Sequence, residues 1–135
     1  MKTRVPWGKL SKNDYIRFVK FSYQHPGCCL MINFEEYEPC YEKINWGKLF
    51  SKYPTEDWVV TDEEKDFYDK LGNKLTVYRA DNEYDTAKIS WTTNIHVARY
   101  FLNEHNYDNV YEREINKADI KCVLLDMDED EVIVI

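Results

Sequence analysis

From residue 74 onward the chain changes period, and that change limits the folds open to it. "KLTVYRA" (74–80) alternates, with Leu75, Val77 and Arg79 on one face and Thr76, Tyr78 and Ala80 on the other, a period of two that suits a strand. "AKISWT" (87–92), "NVYEREI" (109–115), "IKCVLLD" (120–126) and "EVIVI" (131–135) repeat the signal between short polar connections. Between the second and third runs, "TNIHVARYFLNEH" sets Val97, Ala98, Phe101 and Leu102 on a helical stripe. The pattern predicts an α+β fold in which a small mixed β-sheet is crossed by one helix.

The preceding part reads as helical. Ser11 caps a helix that carries Tyr15, Phe18, Val19 and Ser22 at helical spacing until "HPG" at 25–27 breaks it. "CCLMINF" (28–34) is too short to assign by period, and "YEKINWGKLFSKY" (41–53) carries Ile44, Trp46, Leu49 and Phe50 interrupted by Gly47. "TDEEKDFYDKLGN" (61–73) is a firmer helix: Thr61 as cap, Glu64 as its capping-box partner, Phe67, Tyr68 and Leu71 on one face, and Gly72 as the stop. Residues 1–135 are accordingly read as a single domain, helical over 1–73 and sheet-rich over 74–135.

Composition narrows the partners. A chain of 135 residues, 44% hydrophobic and 16% aromatic, has enough apolar material for one core. Its net charge of -7 argues against nucleic acid and against an anionic membrane surface, both of which need basic residues. No apolar run has signal-peptide or membrane-spanning length, so a soluble, cytoplasmic protein is expected. Cys28, Cys29, Cys40 and Cys122 form no C-x-x-C pair and read as reduced core residues.

Three features stand out against this background. Arg79 shares a strand face with apolar residues, where a guanidinium is costly unless it meets an anion; a structural ion pair is one answer and a bound phosphate another. Ser90 and Thr92 alternate with Trp91, which places both hydroxyls on one face and the indole on the other. "DMDEDEVIVI" packs acids at Asp126, Asp128, Glu129, Asp130 and Glu131 immediately ahead of an apolar strand. If the backbone is extended there, Glu129 and Glu131 project to the same side, and two close carboxylates raise one another's pKa. A solvated acidic turn is the plain alternative.

In this order and spacing, "VYRA", "SWT" and "EDE" resemble the arginine–serine–glutamate class of mono-ADP-ribosyltransferases, in particular small bacterial or phage-type members. The resemblance covers about 75–135. It implies an ADP-ribosyltransferase-like core that uses NAD as co-substrate without a metal. Tyr78 and Arg79 match the aromatic–arginine strand, Ser90 and Thr92 the first and third residues of the serine motif, and Glu129 and Glu131 the acidic pair. Phe101 corresponds to the aromatic residue that stacks on nicotinamide. Ala80 stands where the family often has glycine and Trp91 where it has a small hydroxyl residue, and both bear on cofactor fit.

The resemblance further implies that Glu131 stabilises the ribose cation left when nicotinamide departs. Glu129 would take the proton from the acceptor, Arg79 would clamp the phosphates, Ser90 would orient Glu131, and Trp91 with Thr92 would shape the pocket. The Glu-x-Glu pair points to arginine on a host or competitor protein as the acceptor. Two alternatives share these residues: an NAD glycohydrolase toxin, and a non-catalytic inhibitor or binding module of the same fold. His25, His96 and His105 lie without ligand spacing.

Overall fold

The computed structural model describes residues 10–25 and 45–135. The readings made on "CCLMINF", on Cys28, Cys29 and Cys40, and on Ile44 lie outside the described residues. The chain divides into two compact units, Met1–Lys52 and Tyr53–Ile135. The sheet-bearing unit thus begins ahead of the change of period at residue 74.

In the first unit, helix α1 (Lys12–Gln24) begins at Ser11, whose side chain accepts the Asp14 N–H, and buries Tyr15, Ile16, Val19 and Ser22. The ambiguous stretch after it resolves as a short helix α2 (Trp46–Phe50), capped by Asn45 through the Lys48 N–H. The two helices are tied by the Tyr15 hydroxyl, which donates to the Leu49 carbonyl at 2.9 Å. Tyr23 adds edge-on contacts with both Trp46 and Phe50.

The second unit opens with helix α3 (Thr55–Trp58), which the sequence reading did not single out. It is fastened to the sheet by Thr55 Oγ1 donating to the Ile120 carbonyl at 3.0 Å and buries Trp58. Helix α4 (Asp62–Asp69) carries the capping box read from Thr61 and Glu64. Glu64 is buried because its carboxylate accepts the Val60 and Thr61 amides at 3.0 and 3.1 Å. Gly72 does not act as a left-handed stop; the helix closes on Lys70 in right-handed geometry, and no glycine among the described residues has positive φ.

Among the described residues five strands form one sheet in the order β3-β1-β2-β5-β4: β1 (Lys74–Asp81), β2 (Ser90–Thr92), β3 (Asn109–Asn116), β4 (Ile120–Leu124) and β5 (Glu131–Val134). Every pairing is antiparallel, which corrects the expectation of a mixed sheet. Parallel neighbours need a crossover between adjacent strands. Here the crossover helix α5 (Ile95–Glu104) joins β2 to β3, which lie on opposite sides of β1, so the strands it links never pair. Val59, Val77, Trp91, Ile115, Ile120, Val123, Val132 and Val134 form a core, with Phe67, Tyr68, Leu71 and Leu75 packed against it. Cys122 is buried in β4. No helix among the described residues is long and apolar enough to cross a membrane.

The strand read from residue 87 is shorter than its sequence suggested. Asp85 accepts the Ala87 amide on its side chain at 2.8 Å and the Lys88 amide on its carbonyl at 3.3 Å. This local capture takes up both amides ahead of the strand, which runs from Ser90, with the Ile89 carbonyl already accepting the Val134 amide at 2.8 Å.

Candidate active site

Register brings the singled-out residues together. Tyr78 pairs with Thr92 and Thr92 with Glu131, so these side chains form a row across β1, β2 and β5. Ser90 lies opposite Ile133, which puts it on the diagonal to Glu131, within reach of a short hydroxyl. The contact is made: Ser90 Oγ donates to Glu131 Oε2 across 41 positions of sequence. With Glu129, Phe101 and residues of α5 these side chains line one pocket of about 210 Å³.

Glu131 is the most strongly perturbed group of the site. Burial pushes its carboxyl up, the Ser90 hydrogen bond pulls it down, the Glu129 charge raises it again and Arg79 lowers it, which leaves it at about 7. Partial burial alone holds Glu129 above its ordinary value. A carboxyl poised near neutrality, beside a second in a cleft, is the arrangement that acid–base and cation-stabilising chemistry needs.

The two glutamates reach the pocket by different routes. Glu131 is fixed by a strand. Glu129 stands in a turn where Asp128 and Asp130 have φ of 55° and 46°, so the extended backbone assumed for this stretch is not what aligns the pair. Thr92 aligns it instead: its hydroxyl donates to the Glu129 carbonyl at 2.7 Å and lies 3.4 Å from the Asp130 carbonyl. The Thr93 amide adds a bond to the Asp130 carbonyl at 3.1 Å. Thr92 is thus a clamp on the acidic turn, and its hydroxyl is engaged before any ligand arrives.

Arg79 points to the face opposite Tyr78, as the alternation required, and still reaches the pocket edge. β1 and β2 share one register pair, and beyond it Arg79 Nη1 donates to the Ser90 carbonyl at 2.9 Å. Its Nε pairs with Asp81 at 3.0 Å. Burial works against ionisation of Asp81, but the Asn82 amide and Arg79 prevail and hold it below the ordinary carboxylate value. The anion that Arg79 needed is therefore its own strand neighbour, and the fork braces the serine strand.

Trp91 faces the core rather than a cleft and is 2% exposed, with its indole N–H donated to the Lys88 carbonyl at 2.7 Å and Arg113 above its ring at 5.4 Å. It is also among the residues that line the pocket.

Phe101 belongs to a wall that the sequence reading saw only in part. Val97 and Phe101 on α5 and His105 at its C-cap recur every four residues, and all three line the pocket. His105 stacks on Phe101 at 5.7 Å and 18°, and Tyr107 follows at 5.7 Å from His105. A left-handed Asn106, at φ 55°, turns the chain so that Tyr107 lines the same pocket. The spacing of 97, 101 and 105 is legible in the sequence, whereas His105 has no metal-ligand spacing to mark it. Among the described residues no group of three or more His, Cys, Asp or Glu side chains is disposed to hold a metal ion.

No protein-family model matches the chain, and no curated protein or solved structure is significantly similar to it. The chemistry open to this pocket rests on its own residues.

Proposed function

We propose that the protein is an ADP-ribosyltransferase that cleaves NAD and passes ADP-ribose to a side chain of a protein, with arginine as the favoured acceptor. The observation that carries this reading is the Ser90 hydroxyl donated into the half-buried Glu131 carboxyl, in a pocket that also holds Glu129 and the aromatic wall of Phe101, His105 and Tyr107.

Breaking the bond between ribose C1′ and nicotinamide sends its electron pair to the departing ring nitrogen and leaves an oxocarbenium-like sugar. A nearby carboxylate stabilises that cation, as in glycoside hydrolysis. Glu131, oriented by Ser90, supplies it. The planar nicotinamide ring fits against flat aromatic faces. Glu129 then accepts the proton that the acceptor nitrogen loses as it bonds to C1′. Arg79 contributes mainly by bracing Ser90, since its pairing with Asp81 offsets its charge.

The test is incubation of the wild type and Glu131→Gln with labelled NAD, agmatine and a cell lysate, following label transfer and free nicotinamide. Wild type is expected to do both and Glu131→Gln neither. Nicotinamide release without transfer would make the protein a glycohydrolase, and absence of both activities overturns the reading. Glu129→Gln is expected to reduce transfer more than release.

A further inference from the structure

The start of α5 and the acidic turn meet at one side chain, whose orientation is settled by two bonds at once. Asn94 caps α5 by accepting the His96 amide on Oδ1 at 3.0 Å. An amide has one acceptor end and one donor end, so Nδ2 must face away from the cap. It lies 3.3 Å from Asp130 Oδ2. The Asn94 amide itself donates to Thr92 Oγ1 at 3.1 Å, the same hydroxyl that clamps the Glu129 carbonyl.

Capping a helix requires only an acceptor, and aspartate or serine would serve α5 equally well. A donor is what asparagine adds, and the donor meets the carboxylate of the residue lying between Glu129 and Glu131. That residue has positive φ, as does Asp128, a conformation that aspartate and asparagine adopt more readily than most residues. Residue 130 is gripped twice from the 92–94 segment, by Asn94 at its side chain and by Thr93 at its carbonyl.

We propose that Asn94 is a positioning residue that acts through Asp130 to hold the Glu129 carboxylate in place relative to Glu131. It thereby sets how ADP-ribose partitions between an acceptor and water. This inference rests on the transferase reading above. Asn94 touches no reacting atom in this scheme; it fixes the turn that carries the base.

An exchange of the two partners tests it. Asn94→Asp keeps a capping oxygen but sets a carboxylate against Asp130. The ratio of transfer to agmatine over nicotinamide release is expected to fall about tenfold or more, the scale of loss that small misplacements of a catalytic group produce. Asp130→Asn keeps a side-chain oxygen for Asn94 Nδ2, and asparagine tolerates left-handed φ, so the ratio is expected to hold. The double variant exchanges donor and acceptor and is expected to regain the ratio that Asn94→Asp loses. An unchanged ratio in Asn94→Asp, or a double variant no better than it, would overturn the proposal.

Amide exchange at Thr93 and Asp128 separates failure of this inference from failure of the transferase reading. Faster exchange in Asn94→Asp, reversed in the double variant, supports the latch whatever the activity, and unaltered exchange overturns it. A wild type that releases no nicotinamide overturns the transferase reading and the partition role together.

Discussion

Glu129 and Glu131 are two positions apart, and different kinds of structure hold them. Glu131 opens a strand paired on both sides, to β2 and to β4, and its carboxyl is held by a side chain from the neighbouring strand. Glu129 sits in a turn between left-handed residues, and the bonds that fix it reach its backbone and its neighbour rather than its own carboxylate. A sheet position is shared by many ladder bonds and survives the loss of one. A pinned turn depends on a few side chains. In this protein the strand carries the group proposed to stabilise charge, and the pinned turn carries the group proposed to meet the acceptor.

The largest expected effect breaks the strand-mounted half. Glu131→Gln should lower nicotinamide release by about 10² to 10³, the usual scale for loss of a charge-stabilising group. Wild-type release should rise with pH and level off above about 7, where Glu131 is ionised. Stability should run the opposite way. The folded state raises this carboxyl above its ordinary value of 4.5 to about 7, so it binds the proton more tightly than the unfolded chain does. That contribution is fully present at low pH and is lost as pH rises through this window. Thermal unfolding of Glu131→Gln across the same pH range should lack that decline. A parallel pH dependence in both proteins would remove Glu131 as its source.

Ser90→Ala is the next effect in size. The hydroxyl pulls the Glu131 carboxyl down, so its loss should move the midpoint of the rate–pH profile above 7. Below that pH, release should fall by about ten- to a hundredfold, the equivalent of one hydrogen bond to a charged group. An unmoved midpoint would mean that the contact is packing alone.

Thr92→Val sharpens the turn-mounted half with the smallest effect. Removing the clamp leaves the Glu129 carbonyl without its hydroxyl donor and should cost about 1 to 2 kcal/mol in chemical denaturation. It should lower transfer a few-fold more than release. Equal loss of both activities would show that the turn and the strand work as one unit.

Legibility in the sequence followed the range of the forces involved. Alternation in 74–80 placed Val77 in the core and Arg79 on the same face, and Thr61 with Glu64 announced the start of α4, because these depend on neighbours in the chain. The shortening of β2 was missed because Asp85 competes locally for backbone amides, which a count of apolar positions does not register. The wall of Phe101, His105 and Tyr107 was half seen. Helical spacing gives the first two, while Tyr107 depends on one left-handed residue at 106.

What the sequence determined by itself was the inventory: five strand segments, one crossing helix, a serine and a glutamate with the parity to share a sheet face, and an acidic run ahead of the last strand. Tertiary structure alone decided the partners. It made the sheet antiparallel throughout, met the Arg79 charge with Asp81 and a strand carbonyl, and turned Trp91 into core. It also moved alignment of the acidic pair from an extended backbone to the Thr92 and Asn94 clamps. The physical reason is that period and parity are set by backbone geometry within a few residues. Which hydroxyl meets which carboxyl, and how far burial raises that carboxyl's pKa, is fixed only when strand register brings segments remote in sequence together.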